Sequence, residues 1–239
     1  MLFIIGTDGK DNVELKFGGK LNERHVDVKL NIPGGNGVPK NNFTQTYSTS
    51  AFSRVVAYLL GDNDTYISQN DNSEGGIAFA GISQFVFGGD GNDQIQIKGL
   101  GSSVIVGGSG DDDLKGGDGR NVMIGGSGKD NLKGGNGDDL LIAGFTAFDN
   151  NMTALDRIFR EWNSTNDYLT RVDNLRNGTG AVLTGSSVKL QRSGTDRTVF
   201  SDSSADDLKG DEGLDWYFAD LDDKLHGKIN DELLDLITN

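Results

Sequence analysis

Glycine and apolar residues recur with a period of nine through the middle of the chain. Residues 107–142 divide without a gap into four units, which read GGSGDDDLK, GGDGRNVMI, GGSGKDNLK and GGNGDDLLI. A fifth copy, GGDGNDQIQ, occupies residues 88–96, and residues 97–106 separate it from the others. One large apolar residue per unit, at position eight, indicates a short structural element that is repeated. The residues at this position are Ile95, Leu114, Met123, Leu132 and Leu141.

Each unit predicts one tight turn followed by one short strand. The paired glycines permit positive φ angles, which a turn of this kind needs. The last three residues can form a strand whose central apolar side chain points inward. One such strand cannot bury itself, whereas stacked turns build a continuous core. A flexible glycine-rich linker would not keep an apolar residue at the same position in five copies. The pattern therefore predicts a mainly β fold of stacked turns.

We call residues 88–142 the array and expect them to form one domain of stacked repeats. The segments on either side of the array have other periods. Residues 1–87 hold β-branched and aromatic runs between turn residues, and they predict an irregular β cap with degenerate repeats. Residues 143–200 predict an insertion made of a helical pair, over NNMTALDRIFREW and STNDYLTRVDNLRNG, and of a β-hairpin, over AVLTGSSVKLQRSGTDRTVF. Residues 201–239 return to the nine-residue spacing and end in a cap, for which KINDELLDLI (228–237) predicts a closing helix.

The apolar faces of the two predicted helices are expected to pack the insertion onto the repeats. These faces contain Met152, Leu155, Phe159 and Trp162 in the first helix and Tyr168, Val172 and Leu175 in the second. The alternative is that residues 143–200 form a ligand or enzyme site of their own, lined by Arg157, Arg171 or Asp173.

Composition narrows the functional classes. The 239 residues include 22 Lys and Arg against 36 Asp and Glu, for a net charge of −14. This excess argues against nucleic acid or an anionic membrane as a partner, and it suits a protein that binds cations. The chain has no Cys, which excludes disulfides and thiolate metal sites. No run approaches the roughly 18 apolar residues of a membrane span. The sequence also lacks an HExxH helix, a GxSxG elbow and a complete phosphate loop, so we expect no enzymatic activity.

Position six of the repeat carries the candidate chemistry. It is filled by Asp93, Asp112, Asn121, Asp130 and Asp139. Stacked carboxylates repel one another by roughly 1 kcal/mol or more per close pair. A hard cation reverses the sign of this interaction, and Ca²⁺ takes about six to eight oxygen ligands. The repeats therefore predict several bound calcium ions.

These units resemble the nonapeptide repeats of the RTX (repeats-in-toxin, haemolysin-type) calcium-binding proteins. The resemblance implies a parallel β-roll, a β-solenoid in which turns two repeats apart stack on the same edge. It also implies that calcium lies between those turns, held by position-six carboxylates and by carbonyls of the first four turn residues. The implied backbone ligands are Gly108, Ser109, Gly110, Gly117, Asp118, Gly119, Gly126, Ser127, Gly128, Gly135, Asn136 and Gly137.

The resemblance further implies which residues share an ion. Asp112 and Asp130 face one ion, while Asn121 and Asp139 lie on the opposite edge. The Asn121 site is expected to be weaker because an amide oxygen is neutral. Asp93 lies 19 residues before Asp112 rather than 18, so their pairing requires one residue to loop out.

Four further Asp residues occupy position six of degenerate units outside the array. Asp215 keeps Gly210 and Gly213 and is a predicted ligand. Asp206 has lost its glycines and is predicted not to be one. The other two, Asp11 and Asp64, are predicted to be solvated turn residues.

The tail has a resemblance of its own. The segments LLIAGFTAFDNN, LRNGTG, TVFSD and DWYFADLD, within residues 140–222, resemble those that follow the repeats in large bacterial haemolysin-type calcium-binding proteins. The two resemblances imply an extracellular or cell-surface bacterial module that folds on binding calcium. We expect a monomer with a structural or adhesive role and an unknown surface or matrix partner. The alternative is the folding and export module, by type I secretion, of a secreted hydrolase or toxin whose catalytic domain lies outside this chain.

Overall fold

The structure, a computed structural model, describes residues 1–19, 24–32, 41–70, 82–227 and 232–237. Its strands are β1 (Leu2–Ile5), β2 (Asn12–Gly18), β3 (His25–Ile32), β4 (Asn41–Ser48), β5 (Arg54–Gly61), β6 (Thr65–Asn70), β7 (Ser83–Asp90), β8 (Gln94–Ile97), β9 (Ser103–Ser109), β10 (Asp113–Lys115), β11 (Val122–Ser127), β12 (Asn131–Asn136), β13 (Leu140–Ile142), β14 (Phe145–Thr146), β15 (Val199–Phe200), β16 (Asp207–Glu212), β17 (Trp216–Ala219), β18 (Lys224–His226) and β19 (Leu233–Leu236).

The strands of the repeats alternate between two parallel sheets. Within the described residues, one sheet has the order β1-β5-β7-β9-β11-β13-β17-β19 and the other β18-β16-β12-β10-β8-β6-β2-β3-β4. We call them the eight-stranded and the nine-stranded sheet. Both are parallel, except that β2, β3 and β4 form an antiparallel meander at the N-terminal end. A short 3₁₀ turn, Thr49–Ala51, follows this meander. The predicted parallel β-roll is confirmed.

The register of the roll follows the period of the sequence. Leu114 lies opposite Leu132, and Met123 lies opposite Leu141, so a strand pairs with the strand two repeats away. Ile95 pairs with Leu114 in spite of the 19-residue interval. The extra residue is accommodated between β8 and β9, and Asp93 and Asp112 are adjacent as the prediction required.

Two apolar cores flank the eight-stranded sheet. The position-eight side chains of the array are 0% exposed and fill the core between the two sheets. The second core lies on the other face of the eight-stranded sheet, beneath the insertion, and includes Val122, Ile124, Leu140 and Ile142. The eight-stranded sheet is thus covered on both faces, and its strand sequences reflect this. Strands of the nine-stranded sheet read DLK or NLK, with polar flanks, whereas those of the eight-stranded sheet read VMI, LLI or WYF.

The insertion contributes the helices α1 (Met152–Trp162) and α2 (Tyr168–Asn177). Asp167 caps the start of α2 by accepting the Thr170 N–H at 2.9 Å, and Gly178 ends it in the left-handed conformation, with φ 66°. The predicted apolar faces do pack into the core beneath the insertion, so the helical pair is confirmed. No helix among the described residues is long and apolar enough to cross a membrane.

Two predicted elements are wrong. Residues 181–198 form turns and bends instead of a hairpin. The strand that follows them, β15, pairs with β14, which precedes the two helices in the sequence. The predicted hairpin lacks a run of alternating apolar residues long enough to pair with itself. The closing helix is also absent from the described part of 228–237, because Leu233–Leu236 add β19 to the edge of the eight-stranded sheet. Residues 228–231 lie outside the described residues.

Candidate calcium sites

Seven carboxylates form a continuous row along one edge of the roll, at the start of the strands of the nine-stranded sheet. In every member after the first, Oδ1 accepts the backbone N–H of the preceding member, at distances of 2.6–2.9 Å. The side chain of one turn therefore fixes the backbone of the turn before it. We call this set the first row, and its members are Asp11, Asp64, Asp93, Asp112, Asp130, Asp206 and Asp223.

A shorter second row lies along the opposite edge, at the start of the strands of the eight-stranded sheet. It consists of Ser103, Asn121, Asp139 and Asp215. The backbone N–H of Ser103 bonds Oδ1 of Asn121 at 3.1 Å, and that of Asn121 bonds Oδ1 of Asp139 at 2.7 Å. The N–H of Asp139 bonds Oδ1 of Asp215 at 2.8 Å. The predicted separation of Asp112 and Asp130 from Asn121 and Asp139 onto opposite edges is therefore present.

The second carboxylate oxygen of most row members is buried and has no hydrogen-bond partner among the described residues. This is true of Oδ2 in Asp64, Asp93, Asp112, Asp130, Asp139 and Asp206. An anionic oxygen that is buried without a partner is strongly destabilising. A cation at each position would remove this penalty.

The space beside the first glycine of a turn lies between Oδ2 of the row carboxylate and a backbone carbonyl oxygen. A Cβ atom on Gly107 would lie 2.3 Å from Oδ2 of Asp112 and 2.4 Å from the carbonyl oxygen of Gly125. The carboxylate of one turn and the carbonyl of the turn two repeats later thus converge on the space that a side chain would fill. Such an all-oxygen cradle suits Ca²⁺. Among the described residues, no three His, Cys, Asp or Glu side chains are grouped so that they could hold a metal ion, so a calcium ion at these positions would also need backbone carbonyls as ligands.

The predicted backbone ligands lie in the turns between the paired carboxylates. Gly108, Gly110, Gly126 and Gly128 adopt φ angles of 118–122°, and a Cβ on Gly126 would meet the Gly108 carbonyl oxygen at 2.0 Å. Two of the four position-three carbonyls have partners already. Those of Ser109 and Ser127 accept the N–H groups of Gly91 and Gly110, both at 2.7 Å. These two hydrogen bonds join one turn to the next turn of the same edge. The role of the predicted residues as calcium ligands remains a prediction. The remaining ones occupy the same positions of the two second-row turns: Gly117, Asp118, Gly119, Gly135, Asn136 and Gly137.

The expectation that Asp11 and Asp64 are solvated is wrong. They are 0% and 2% exposed, and they extend the first row beyond the array. Asp206 is 1% exposed and has the same contacts as Asp112 and Asp130, although its turn has lost the glycines. Ser203 there adopts a positive φ of 68° without being glycine. The loss of glycines from this turn therefore does not distinguish the position of Asp206 from those of Asp112 and Asp130.

Sequence reasoning missed Asp223, the last member of the first row. Its Oδ1 accepts the Asp206 N–H at 2.8 Å, and its Oδ2 accepts the Asp220 N–H at 2.6 Å. The available signal was the spacing Asp-x-Leu, since Leu225 pairs with Leu208 just as position-eight residues pair in the array.

Burial raises the pKa of the row carboxyls. The pKa of Asp93 rises to about 6, those of Asp64, Asp112 and Asp206 to about 7, and that of Asp130 to about 8. Loss of hydration is the largest cause in each case, and neighbouring Asp carboxylates add to it. Folding thus raises each pKa above its ordinary value of 3.8. The metal-free fold keeps its full stability below about pH 4 and loses stability as the pH rises through these folded-state values.

We therefore expect calcium-stripped protein to be more stable at about pH 5.5 than at about pH 8. The difference in the free energy of unfolding should be at least about 1.4 kcal/mol, the equivalent of one pKa unit at one carboxyl. Circular dichroism of the calcium-stripped chain across this pH range measures it, because the strand signal should be present near pH 5.5 and largely lost near pH 8. Asp130→Asn should reduce the difference, while Asp113→Asn, one residue outside the row, should leave it unchanged. Metal-free stability that stays level or increases toward pH 8 would contradict the assignment of buried carboxyls.

The insertion covers the second row with hydrogen bonds. Trp162 Nε1 donates to the carbonyl of Asp138, and the hydroxyl of Tyr168 donates to the carbonyl of Asp215, both at 2.8 Å. Arg171 is 1% exposed and pairs with the carboxylate of Asp138. The helices thus bind the backbone next to Asp139 and Asp215.

Two of the three residues proposed to line a separate ligand site in the insertion have other partners. Arg171 is buried in its ion pair, and Arg157 donates to the carbonyl of Val182 at 2.5 Å. Asp173 is exposed on α2. The helical pair meets the roll through a packed apolar interface, which argues against an independent site there.

Comparison with family models identifies the repeats. The RTX calcium-binding nonapeptide repeat matches in four copies, over residues 85–96, 99–132 and 106–141. No curated protein and no solved structure matches the chain. The family match ends at residue 141, so the resemblance of the tail within residues 140–222 remains a prediction. The match covers the part of the chain in which both rows are most regular, and residues 85–141 are therefore RTX calcium-binding nonapeptide repeats.

Proposed function

We propose that this chain is a non-enzymatic β-roll module of a secreted or cell-surface bacterial protein and that it folds when it binds several calcium ions. The main support is the set of six buried carboxylate oxygens without a partner among the described residues. Each would be compensated by a cation held between two turns. Because these positions repeat along the rows, binding at one would order the turns of the next, and folding would be cooperative.

The negative charge of the chain favours the unfolded state without calcium and the folded state with it. The net charge of −14 expands the metal-free chain, and calcium neutralises the carboxylates that come together on folding. Extracellular calcium modules bind with dissociation constants of about 10⁻⁴–10⁻³ M. Sites of this affinity stay empty at the low calcium concentration of a cytoplasm and fill outside the cell. The finer role we propose is structural or adhesive, since ion-linked turns make a stiff, extended support.

Equilibrium dialysis against calcium at neutral pH tests the proposal. We expect several ions per chain, with half-saturation in the range of about 10⁻⁴–10⁻³ M, and no displacement by an equal concentration of magnesium. Magnesium prefers rigid octahedral sites and retains its water. Asp112→Ala should reduce the number of bound ions, whereas Asp113→Asn on the same strand should not. Failure to bind calcium, or equal binding of magnesium, would overturn the proposal.

The alternative role is folding and export of a hydrolase or toxin that precedes this module. The proposed dependence of folding on calcium would also suit this role, because an unfolded, acidic segment can pass through a secretion channel. Fusion of a reporter enzyme before residue 1, in cells with a type I secretion apparatus, separates the two roles. Secretion of the reporter that depends on this chain would favour export, and retention in the cell would favour the structural role.

A further inference from the structure

The Asn121 side chain differs from those of Asp112, Asp130 and Asp139 in having partners for all of its polar atoms. Its Oδ1 accepts the N–H of Ser103 at 3.1 Å and the hydroxyl of Ser103 at 2.7 Å. Its Nδ2 donates to the carbonyl of Gly119 at 2.7 Å and to Oδ1 of Asp139 at 3.0 Å. Longer contacts of 3.3 Å and 3.2 Å join Nδ2 to the carbonyls of Gly117 and Gly134.

These partners determine the orientation of the amide. Nδ2 faces four acceptor oxygens, and Oδ1 faces a donor N–H. Rotation of the amide by 180° would place Oδ1 against those four oxygens and lose the bond from the Ser103 backbone.

The amide nitrogen occupies the position that an unpartnered carboxylate oxygen occupies elsewhere. A Cβ on Gly116 would meet the Gly134 carbonyl at 2.4 Å and Nδ2 of Asn121 at 2.7 Å. The equivalent Cβ on Gly107 would meet the Gly125 carbonyl at 2.4 Å and Oδ2 of Asp112 at 2.3 Å. The two cradles therefore match, except that one presents a donor where the other presents a bare anion.

The backbone of this turn differs as well. The second and fourth residues of the neighbouring array turns, such as Gly108 and Gly110, have positive φ angles. Gly117 and Gly119, at the same positions, do not. The turn is also joined to the insertion, because Arg120 donates to the carbonyl of Ser164 at 2.9 Å.

We infer that the amide of Asn121 takes the place of a calcium ion, so that the junction between turns 116–121 and 134–139 closes without metal. The inference rests on the proposed calcium-binding function. It replaces the expectation of a weak calcium site at this position. The N–H groups of Nδ2 make the contacts that an ion mediates at Asp112, and their partial positive charge repels an incoming cation. The remaining ion position on the second row is then at Asp139 and Asp215, where Oδ2 of Asp139 has no partner among the described residues.

Calcium stoichiometry in Asn121→Asp and in its reverse counterpart, Asp112→Asn, tests the inference. Equilibrium dialysis at saturating calcium should find one more ion per chain in Asn121→Asp than in the wild type, and one fewer in Asp112→Asn. Equal numbers in Asn121→Asp and the wild type, with tighter binding in the variant, would show that the wild type already holds an ion there and would overturn the inference. A wild type that binds no calcium would instead refute the proposed function.

A measurement on the wild type keeps the test independent of how the variants fold. Crystals grown with calcium should show anomalous scattering between Asp112 and Asp130 and none between Asn121 and Asp139. A peak between Asn121 and Asp139 would overturn the inference, whereas the absence of peaks from both junctions would count against the proposed function.

Discussion

Removal of calcium with EGTA at about pH 7.5 should abolish most of the β-strand circular dichroism of this chain. The first-row carboxyls whose pKa rises only to about 6 or 7, those of Asp64, Asp93, Asp112 and Asp206, are then largely ionised while buried, their Oδ2 atoms have no partner among the described residues, and they repel one another. Returning calcium to about 10 mM should restore the signal cooperatively. A site with a dissociation constant of about 10⁻⁴ M would contribute about 2.7 kcal/mol to the stability at that concentration.

Magnesium at the same concentration is the control for ionic strength and should not restore the signal. Asp130→Ala should move the calcium midpoint to higher concentration, because it removes a carboxylate from the middle of the first row. Asp113→Asn should keep the wild-type midpoint. A spectrum that is already fully β in EGTA and indifferent to calcium would mean that packing alone holds the roll.

Replacement of Arg171 by Met should cost about 3 kcal/mol of stability at saturating calcium. The guanidinium is 1% exposed, donates to the carbonyl of Trp162 at 2.9 Å, and lies 4.8 Å from the centre of that indole ring. Loss of one partner from a buried ion pair typically costs about 3–5 kcal/mol. The lower end applies here because Asp138 is partly exposed and keeps Arg120 at 3.6 Å.

Arg160→Met provides the matched control on the neighbouring helix. Arg160 is exposed and reaches Asp156 only at 4.0 Å, so its loss should cost about 0.3–0.5 kcal/mol. Urea unfolding followed by the fluorescence of Trp162 and Trp216, both 0% exposed, measures the two variants. Equal losses would show that Arg171 is a surface residue in solution and that the insertion does not depend on it.

The regular part of the roll could be predicted because its contacts are local in the repeat. A period of nine places Leu114 over Leu132 and Asp112 over Asp130, and a constant period leaves only one register. The pairing of Asp93 with Asp112 could also be predicted in spite of their interval of 19 residues, because one extra residue can loop out at a turn. The ligand positions that the sequence proposed in the array all lie in turns next to a row.

Outside the array, the intervals between row members no longer follow the period. Asp11 and Asp64 are 53 residues apart, Asp64 and Asp93 are 29 apart, and Asp130 and Asp206 are 76 apart. The nine-residue period of the sequence therefore cannot predict which of these residues are paired. Strand pairing determines which Asp residues are adjacent. When a new strand pairs with the edge strand of the sheet, the residue that precedes it comes to lie beside the Asp that precedes the edge strand.

The sequence by itself determined the repeated turn, the apolar residue at position eight, the helical pair and the chemistry of position six. Each depends on residues within about one turn of one another. Only the tertiary structure decided that Asp206 and Asp223 continue the first row, that Leu233–Leu236 form a strand, and that Asn121 satisfies its own junction. These outcomes depend on what lies beside a residue in the neighbouring turn. A free sheet edge offers hydrogen bonds to any segment that reaches it, and this outweighs a local preference for helix.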